Sequence, residues 1–411
     1  MNTTDYKGLR HELGAFRHHV SSFFSRITVK KEGRATGWGL GSDTVNVLSE
    51  FTETQEEERA MAARTYLRER FDAGLAWITG PREYGGAGLT PDHDAVYREV
   101  ERAFELPDKD YTVVGTEILA PVLLSHGTEK AKISYLPAIH RGEQLVCQLF
   151  SEPDAGSDLA AVVTSALFDG TDWRVTGTKV WSSGASQADL GVILARTDSE
   201  VPRHRGLTMF LVDMHQEGIE VRPIRQMTGG SSFYEVWLDD VCIPGWHILG
   251  ARETGWSVAL EMLLLERAAL GADRLPIGDY LARLLATAQQ FGRIDSPQVR
   301  ARLIDVLIKS RLLELTNGRL TTLSVDGIPG PEMAMLKLLL TQSLLAISEA
   351  ASLLVGPRLV ADSGAWGTYA WSQFVLGTPG MRIGGGTDEI LKNLLAERVL
   401  NLPREPTSSV S

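Results

Sequence analysis

Cysteine is scarce in this chain: 411 residues carry two, Cys147 and Cys242. Neither sits in a CxxC pair or in a Cys/His cluster of metal-ligand spacing, so no zinc or other metal site is expected. Both lie in apolar, strand-like runs, CQLF and VWLDDVCIP, and read as buried reduced thiols of a cytoplasmic protein. Positive charge is in deficit. The 41 Lys and Arg against 52 Asp and Glu leave a net charge of −11. That excludes the basic footprint that non-specific nucleic-acid binding needs. It does not exclude an anionic ligand held at local arginines or helix N-termini. No run of 18 apolar residues is present, so no membrane span is expected. The N-terminal MNTTDYKGLRHELGAF is polar and lacks the apolar core of a signal peptide.

What is present is an ordinary globular composition, 43% hydrophobic and 23% charged, in a chain long enough for two or three domains. The pattern changes twice along it. Residues 1–143 read as helical, with charged helix formers over 53–73 and further helical stretches at 90–105 and 110–126. A Gly-rich break, PREYGGAGL, interrupts them. Residues 144–250 read as a β domain, a small barrel or sandwich. Val, Trp, Thr and Phe alternate with polar residues in WRVTGTKVW, LTMFLVDM and FYEVWLDDV, punctuated by turn clusters. Residues 251–402 return to long amphipathic helical patterns, read as a four-helix bundle. Residues 403–411 read as a flexible tail. The fold class is therefore mainly α with a central β domain.

Two segments of the β domain have chemistry to offer. In CQLFSEPDAGSDLAA a strand runs into a tight turn, where backbone N–H groups and the hydroxyls of Ser151 and Ser157 converge. Such a turn can bind a pyrophosphate or the polar edge of a ring, and it can equally be a hairpin turn with Ser/Asp capping. In GTKVWSSGASQADLGVIL, Trp181 stands next to small hydroxyls. That combination suits stacking on a planar heterocycle, and also suits a core tryptophan.

Together these segments resemble the acyl-CoA dehydrogenase family of flavoproteins. PREYGGAGL, LSHGTEKAKISYLPAIHRGEQ, EVWLDDVCIP, LERAALGA and GGTDEILKNLLAERVLNLPRE extend the resemblance over nearly the whole chain. It implies an N-terminal helical domain, a β domain, a C-terminal four-helix bundle and non-covalent FAD. The Gln148–Ser157 turn would line the flavin, with Phe150 contributing backbone and Ser151 near the pyrimidine edge. Trp181 would pack against the isoalloxazine and Ser183 would lie near N5. Thr387 and Glu389 match further cofactor positions, and Ser157 matches a substrate contact. The cofactor supplies the redox chemistry, while the protein supplies orientation and a base.

The family reaction takes a proton from the carbon α to a thioester while a hydride leaves the β carbon. It needs a carboxylate and donors to the thioester oxygen. Many members place the glutamate one residue before the Gly-Thr of the C-terminal loop. Here that position is Gly385, in Arg382–Ile383–Gly384–Gly385–Gly386–Thr387. A subset places it on the helix after the β domain, directly before an arginine, and here Glu266–Arg267 stand in that position. Glu266 lies in an apolar run, where a carboxylate is paired, functional or on an exposed face. The resemblance makes Glu266 the base, with Asp388 and Glu389 as fallback carboxylates. Arg267 and the Gly385 backbone N–H fall to the substrate site.

Two features depart from the family. An arginine that reaches a neighbouring subunit's cofactor is replaced by Ala288, three residues before Phe291–Gly292, and the Gln-x-x-Gly-Gly run is replaced by Leu353–Leu354–Val355–Gly356–Pro357. Alanine offers a pyrophosphate nothing. Members acting on steroid-derived acyl-CoAs show similar departures, some as two-chain assemblies. The expected activity is α,β-dehydrogenation of an acyl-CoA in fatty acid or steroid catabolism, by a homo- or heterotetramer that passes electrons to an electron-transfer flavoprotein. Alternatives are a catalytically incomplete or partner-dependent subunit, a flavin-dependent oxidase or monooxygenase, and an enzyme acting on a carrier-protein thioester. His140–Arg141 read as solvated surface, and Gly85–Gly86 as a turn needing unusual backbone angles.

Overall fold

The computed structural model describes residues 3–30, 44–48, 50–107, 110–269, 277–320 and 330–404. The expected tail from 405 onward, and Leu270 of the LERAALGA segment, lie outside the described residues. The chain divides into two compact units, Met1–Ala35 with Phe51–Ile224 and Ser231–Ala259, and Thr36–Glu50 with Arg225–Gly230 and Leu260–Ser411.

The first unit opens with helices α1 (Thr3–Ile27), α2 (Glu53–Asp72), α3 (Pro91–Glu101) and α4 (Asp110–Val113). A π-helical turn, Val114–Leu119, leads into α5 (Ala120–His126), followed by α6 (Glu129–His140). Local chemistry starts α2: the Thr52 hydroxyl accepts from Gln55 N and the Gln55 side chain accepts from Thr52 N, a reciprocal capping box. An aromatic cluster of Phe23, Phe24, Tyr66, Tyr97 and Phe104 forms this unit's helical core. The PREYGGAGL break is a 3-10 turn, Arg82–Tyr84, ended by Gly85 at φ 88°. Gly86 is there for a different reason. A Cβ on it would lie 2.2 Å from the Gly80 backbone, so close approach rather than dihedral angle demands glycine.

His140 corrects an expectation. Its ring is 2% exposed and stacks on Trp77 at 4.4 Å with 16° between the planes, so it is core rather than solvated surface. Burial, with the Arg70 charge adding, pushes its pKa down to about 3. Arg141 does face solvent and pairs with Asp72 and Glu143. The sequence offered no period to separate the two, because they fall at the end of α6.

The β domain is an eight-stranded sheet of β1 (Val146–Leu149), β2 (Ser165–Phe168), β3 (Asp172–Ser183), β4 (Leu190–Arg196), β5 (Leu207–Asp213), β6 (Ile219–Ile224), β7 (Phe233–Pro244) and β8 (Ile248–Leu249). The order is β6-β7-β3-β2-β4-β5-β8, with β1 pairing parallel to β4. Alternating residues such as Val175, Ile193, Phe210, Val236 and Ile243 build its core. Cys147 is buried in β1, while Cys242 in β7 is only half-buried. The β3–β7 pairing slips between Lys179 and Ser182, a bulge that re-aims the side chains there.

Helix α7 (Gly255–Ala269) belongs to the second unit from Leu260 onward. That unit continues with α8 (Ile277–Gln290), α9 (Pro297–Leu320), α10 (Ala334–Val355), α11 (Ser372–Met381) and α12 (Asp388–Arg398). α8 and α11 were not separated in the helical texture of the sequence. The α8 signal was there, in Ile277, Tyr280, Leu284 and Ala288, all buried. α10 is the core helix, with buried Leu336, Leu340, Leu344, Ile347 and Leu354 on one cluster with α8 and α9. Although it is no unbroken apolar run, Pro331–Leu359 is long and apolar enough to cross a membrane by length and composition. In this structure 67% of its apolar window is buried inside the molecule.

Candidate active site

Each unit carries one constellation of the expected residues. On the first, the Ser151 carbonyl accepts from Val180 N at 2.9 Å, which ties the 148–157 turn directly to the strand bearing Trp181 and Ser183. The turn closes on itself through Glu152 N to Ala155 O and Ala155 N to Glu152 O. Gln148 is half-buried on β1, Phe150 is buried, and Ser157 and Ser183 are exposed. The structure thus ties Phe150 and Ser151 directly to the strand that carries Trp181 and Ser183.

A buried ion pair underlies that region. Lys179 is 0% exposed, and its ammonium donates to Glu152 Oε1 at 2.7 Å, Phe150 O at 3.1 Å and Leu194 O at 2.7 Å. The Glu152 carboxylate also accepts from Val163 N at Oε2 and from Thr164 N at Oε1. Burial pulls the Lys179 pKa down to about 8 against the pull of Glu152. Burial also opposes the Glu152 charge, yet Lys179 and the N–H donors hold its carboxyl below the usual range. Three acceptors on one ammonium, two from the turn and one from β4, make Lys179 the peg on which the turn hangs. Neither residue was singled out from the sequence. The signal was a lone lysine at an inward-facing strand position.

Trp181 sits at φ 61°, a backbone region that bulky L-residues avoid, and its side chain is 59% exposed. A core tryptophan would be neither strained nor exposed. Strain of this kind persists where the surrounding structure imposes it, and it clusters at ligand sites. Beside it, the Ser182 hydroxyl is buried with no hydrogen-bond partner. A displayed indole, free hydroxyls and a turn rich in backbone N–H groups fit a planar ring carrying polar edges.

On the second unit, Glu266 is half-buried on α7 next to Arg267. The guanidinium's pKa is lowered by burial and supported by the Glu266 charge. Lys337 of α10 lies in electrostatic range of both and is itself lowered by burial. Its ammonium donates to Gly384 O at 2.7 Å and Gly386 O at 3.1 Å. Gly385 and Gly386 take φ 67° and 94°. Thr387 caps α12, its hydroxyl accepting from Ile390 N, and Glu389 is exposed in the first turn. Asp388 is 5% exposed and fully engaged, by Thr341 Oγ1 at 2.9 Å and Arg382 Nε at 2.8 Å. Lys337, Thr341 and Arg382 were not anticipated. A lysine inside AMLKLLL was their one visible mark.

An all-helical domain, a β domain and a bundle, with a strained exposed tryptophan on one unit and a carboxylate beside a glycine loop on the other, define a flavoprotein-dehydrogenase type of fold. Comparison with known families agrees. The chain matches the acyl-CoA dehydrogenase N-terminal domain over 45–143, the middle domain over 147–241 and the C-terminal domain over 253–400. It is 36% identical to the acyl-CoA dehydrogenase IpdE1 of Mycobacterium tuberculosis over 85% of this chain and 91% of that protein. It is also 36% identical to the acyl-CoA dehydrogenase FadE34 of the same organism over 89% of this chain, spanning about half (49%) of that longer relative. Among solved structures, the Tcur3481-Tcur3483 steroid ACAD matches with a TM-score of 0.72 at 26% identity, covering 96% of this chain and 98% of that one. The ChsE4-ChsE5 complex from Mycobacterium tuberculosis matches in fold, with a TM-score of 0.70 at 24% identity over 96% and 98%. The chain belongs to the acyl-CoA dehydrogenase family, oxidoreductases acting on CH–CH bonds.

Proposed function

We propose that this protein dehydrogenates an acyl-CoA thioester between its α and β carbons, with Glu266 as the base. One observation carries the assignment of the base: the competing carboxylate is already occupied. Asp388 is buried between Thr341 and Arg382, and position 385 has no side chain. Glu389 points its charge into the exposed first turn of α12, where it complements the helix dipole. Glu266 remains, half-buried in an apolar helix and within electrostatic range of Arg267 and Lys337.

FAD is the cofactor this family uses, and the first unit's residues suit it: Gln148, Phe150, Ser151 and Ser183 through polar and backbone groups, and Trp181 through its ring. Thr387 and Glu389 correspond to further cofactor positions. Held by these residues, FAD would supply the two-electron acceptor that the β-carbon hydride requires. Glu266 takes the α proton. The Gly385 N–H donates to the thioester oxygen, where negative charge builds as that proton leaves. Arg267 steadies the Glu266 carboxylate, and Ser157 is assigned to the thioester ligand. The Glu266→Gln variant should retain bound flavin and lose at least about 100-fold in flavin bleaching by acyl-CoAs, the scale of a missing general base. Near-parental bleaching would overturn the assignment.

Relatives described as a steroid ACAD and as a two-component complex favour a bulky, steroid-derived acyl group and an unlike partner chain. A specific observation supports the partner. Ala288, where the family's cofactor-reaching arginine would stand, is 0% exposed and packed in the bundle core. No cation can be offered from that position. We therefore favour a heterotetramer whose other chain completes the FAD site, with an electron-transfer flavoprotein as acceptor.

A further inference from the structure

Lys337 is a buried ammonium that the reaction outlined above does not use. It sits 6% exposed on α10, the most apolar helix of the second unit. Burying such a charge is costly unless its donors are satisfied. Its two named acceptors are the carbonyls of Gly384 and Gly386. One turn further along the same face of α10, Thr341 holds Asp388, which Arg382 also grips. A single helix face therefore fixes residues 384–388 through two side chains.

The consequence follows from peptide geometry. In a planar trans peptide the C=O of one residue and the N–H of the next point in opposite directions. With Gly384 C=O drawn onto Lys337, the Gly385 N–H must point away from α10. With Gly386 C=O drawn onto the same ammonium, the Thr387 N–H does likewise. Among the described residues, Gly385 N–H has no intramolecular acceptor. The positive φ values at Gly385 and Gly386 let both carbonyls turn inward toward one cation. Without that cation, three successive glycines have wide rotational freedom, and the N–H would lose its fixed aim.

We propose that Lys337 is a positioning residue for the dehydrogenation. By holding the carbonyls of Gly384 and Gly386 it preorganises the Gly385 N–H as a donor to the thioester oxygen of the substrate. The proposal rests on the acyl-CoA dehydrogenase reading above. A donor fixed before the reaction contributes most where charge develops, so its loss should appear in kcat and in enolate binding rather than in KM.

The test uses the flavin-loaded protein, with any partner chain it needs. A 3-oxoacyl-CoA has an acidified α proton and can bind as its enolate, giving an absorption change that reports stabilisation of negative charge on that oxygen without turnover. Lys337→Met should lower kcat about 100-fold and weaken enolate binding by a similar factor. Free CoA affinity and flavin content should change by less than about threefold. Lys337→Arg, which keeps a cation and parallel donors, should recover most of the enolate affinity. If Lys337→Met does not fold, Lys337→Gln takes its place, keeping a donor without the charge, and should show an intermediate loss. Parental enolate affinity in either folded neutral variant overturns the proposal. So does a loss of CoA and flavin binding in proportion to kcat, which marks general unfolding. The dehydrogenase reading fails separately: the wild-type protein would bleach with no acyl-CoA, while the enolate titration would still report on Lys337.

Discussion

Replacing Lys179 by methionine should break the peg beneath the 148–157 turn. The stem volumes are close, so no large cavity opens and the lost ammonium dominates. Three acceptors lose their donor: Glu152 Oε1 at 2.7 Å, Leu194 O at 2.7 Å and Phe150 O at 3.1 Å. The carboxylate is left 5% exposed with only backbone N–H groups of Val163 and Thr164. Removing one partner of a buried pair costs about 3–5 kcal/mol. For a unit of this size that corresponds to a fall of about 6–20 °C in its melting temperature. Denaturant or thermal unfolding of Lys179→Met, Glu152→Gln and the double variant forms the decisive cycle. Because Glu152→Gln removes the stranded charge, the double variant should be more stable than Lys179→Met alone, with a coupling energy of at least about 1 kcal/mol. Flavin binding should weaken in Lys179→Met, since Ser151 and Val180 lose their fixed relation. A cost under about 1 kcal/mol, or strict additivity in the cycle, would refute the peg.

Two further predictions concern charge. His140 is held neutral with a pKa of about 3, below its ordinary 6.5, so the unfolded chain binds the extra proton between those values. Stability should therefore be intact above pH 6.5 and fall by about 1.4 kcal/mol per pH unit as pH drops toward 3. His140→Phe should flatten that slope in acid unfolding curves, and an unchanged slope would assign the acid sensitivity elsewhere. The second prediction follows from buried Ala288: the chain purified alone should bind less than one flavin per subunit and reach full occupancy on adding its partner. Full occupancy in a homotetramer would remove the case for an unlike chain.

Much of the fold was legible because its signals are local. Period-two alternation marked β3 and β7, whereas β5, expected to alternate, is buried on both faces; apolar helical spacing marked α9 and α10. The candidate cofactor turn was legible as a motif, and the structure adds that Val180 N ties it to the Trp181 strand. What stayed hidden was pairing across long separations. Lys179 meets Leu194, and Lys337 meets a loop 47 residues away. No local pattern tells a buried lysine from a solvated one, because its partners are backbone carbonyls that any sequence supplies. His140 was misread for the same reason: its partner, Trp77, lies on another segment.

The second unit also suggests why a glycine can stand where many relatives carry their base. In that arrangement one residue supplies both a carboxylate and a backbone N–H. Here the two duties are proposed to be separate, with the carboxylate on α7 and the N–H in the loop. A helix holds a side chain on rigid backbone, but a triple-glycine loop does not hold itself. The loop therefore needs external fixing, and the structure provides it from both ends: Lys337 on the carbonyls of Gly384 and Gly386, and Thr341 with Arg382 on Asp388. Those cations are consumed internally. Of the three around the loop, Arg382 neutralises Asp388 and Lys337 serves peptide carbonyls, which leaves Arg267 as the charge adjacent to Glu266 in sequence.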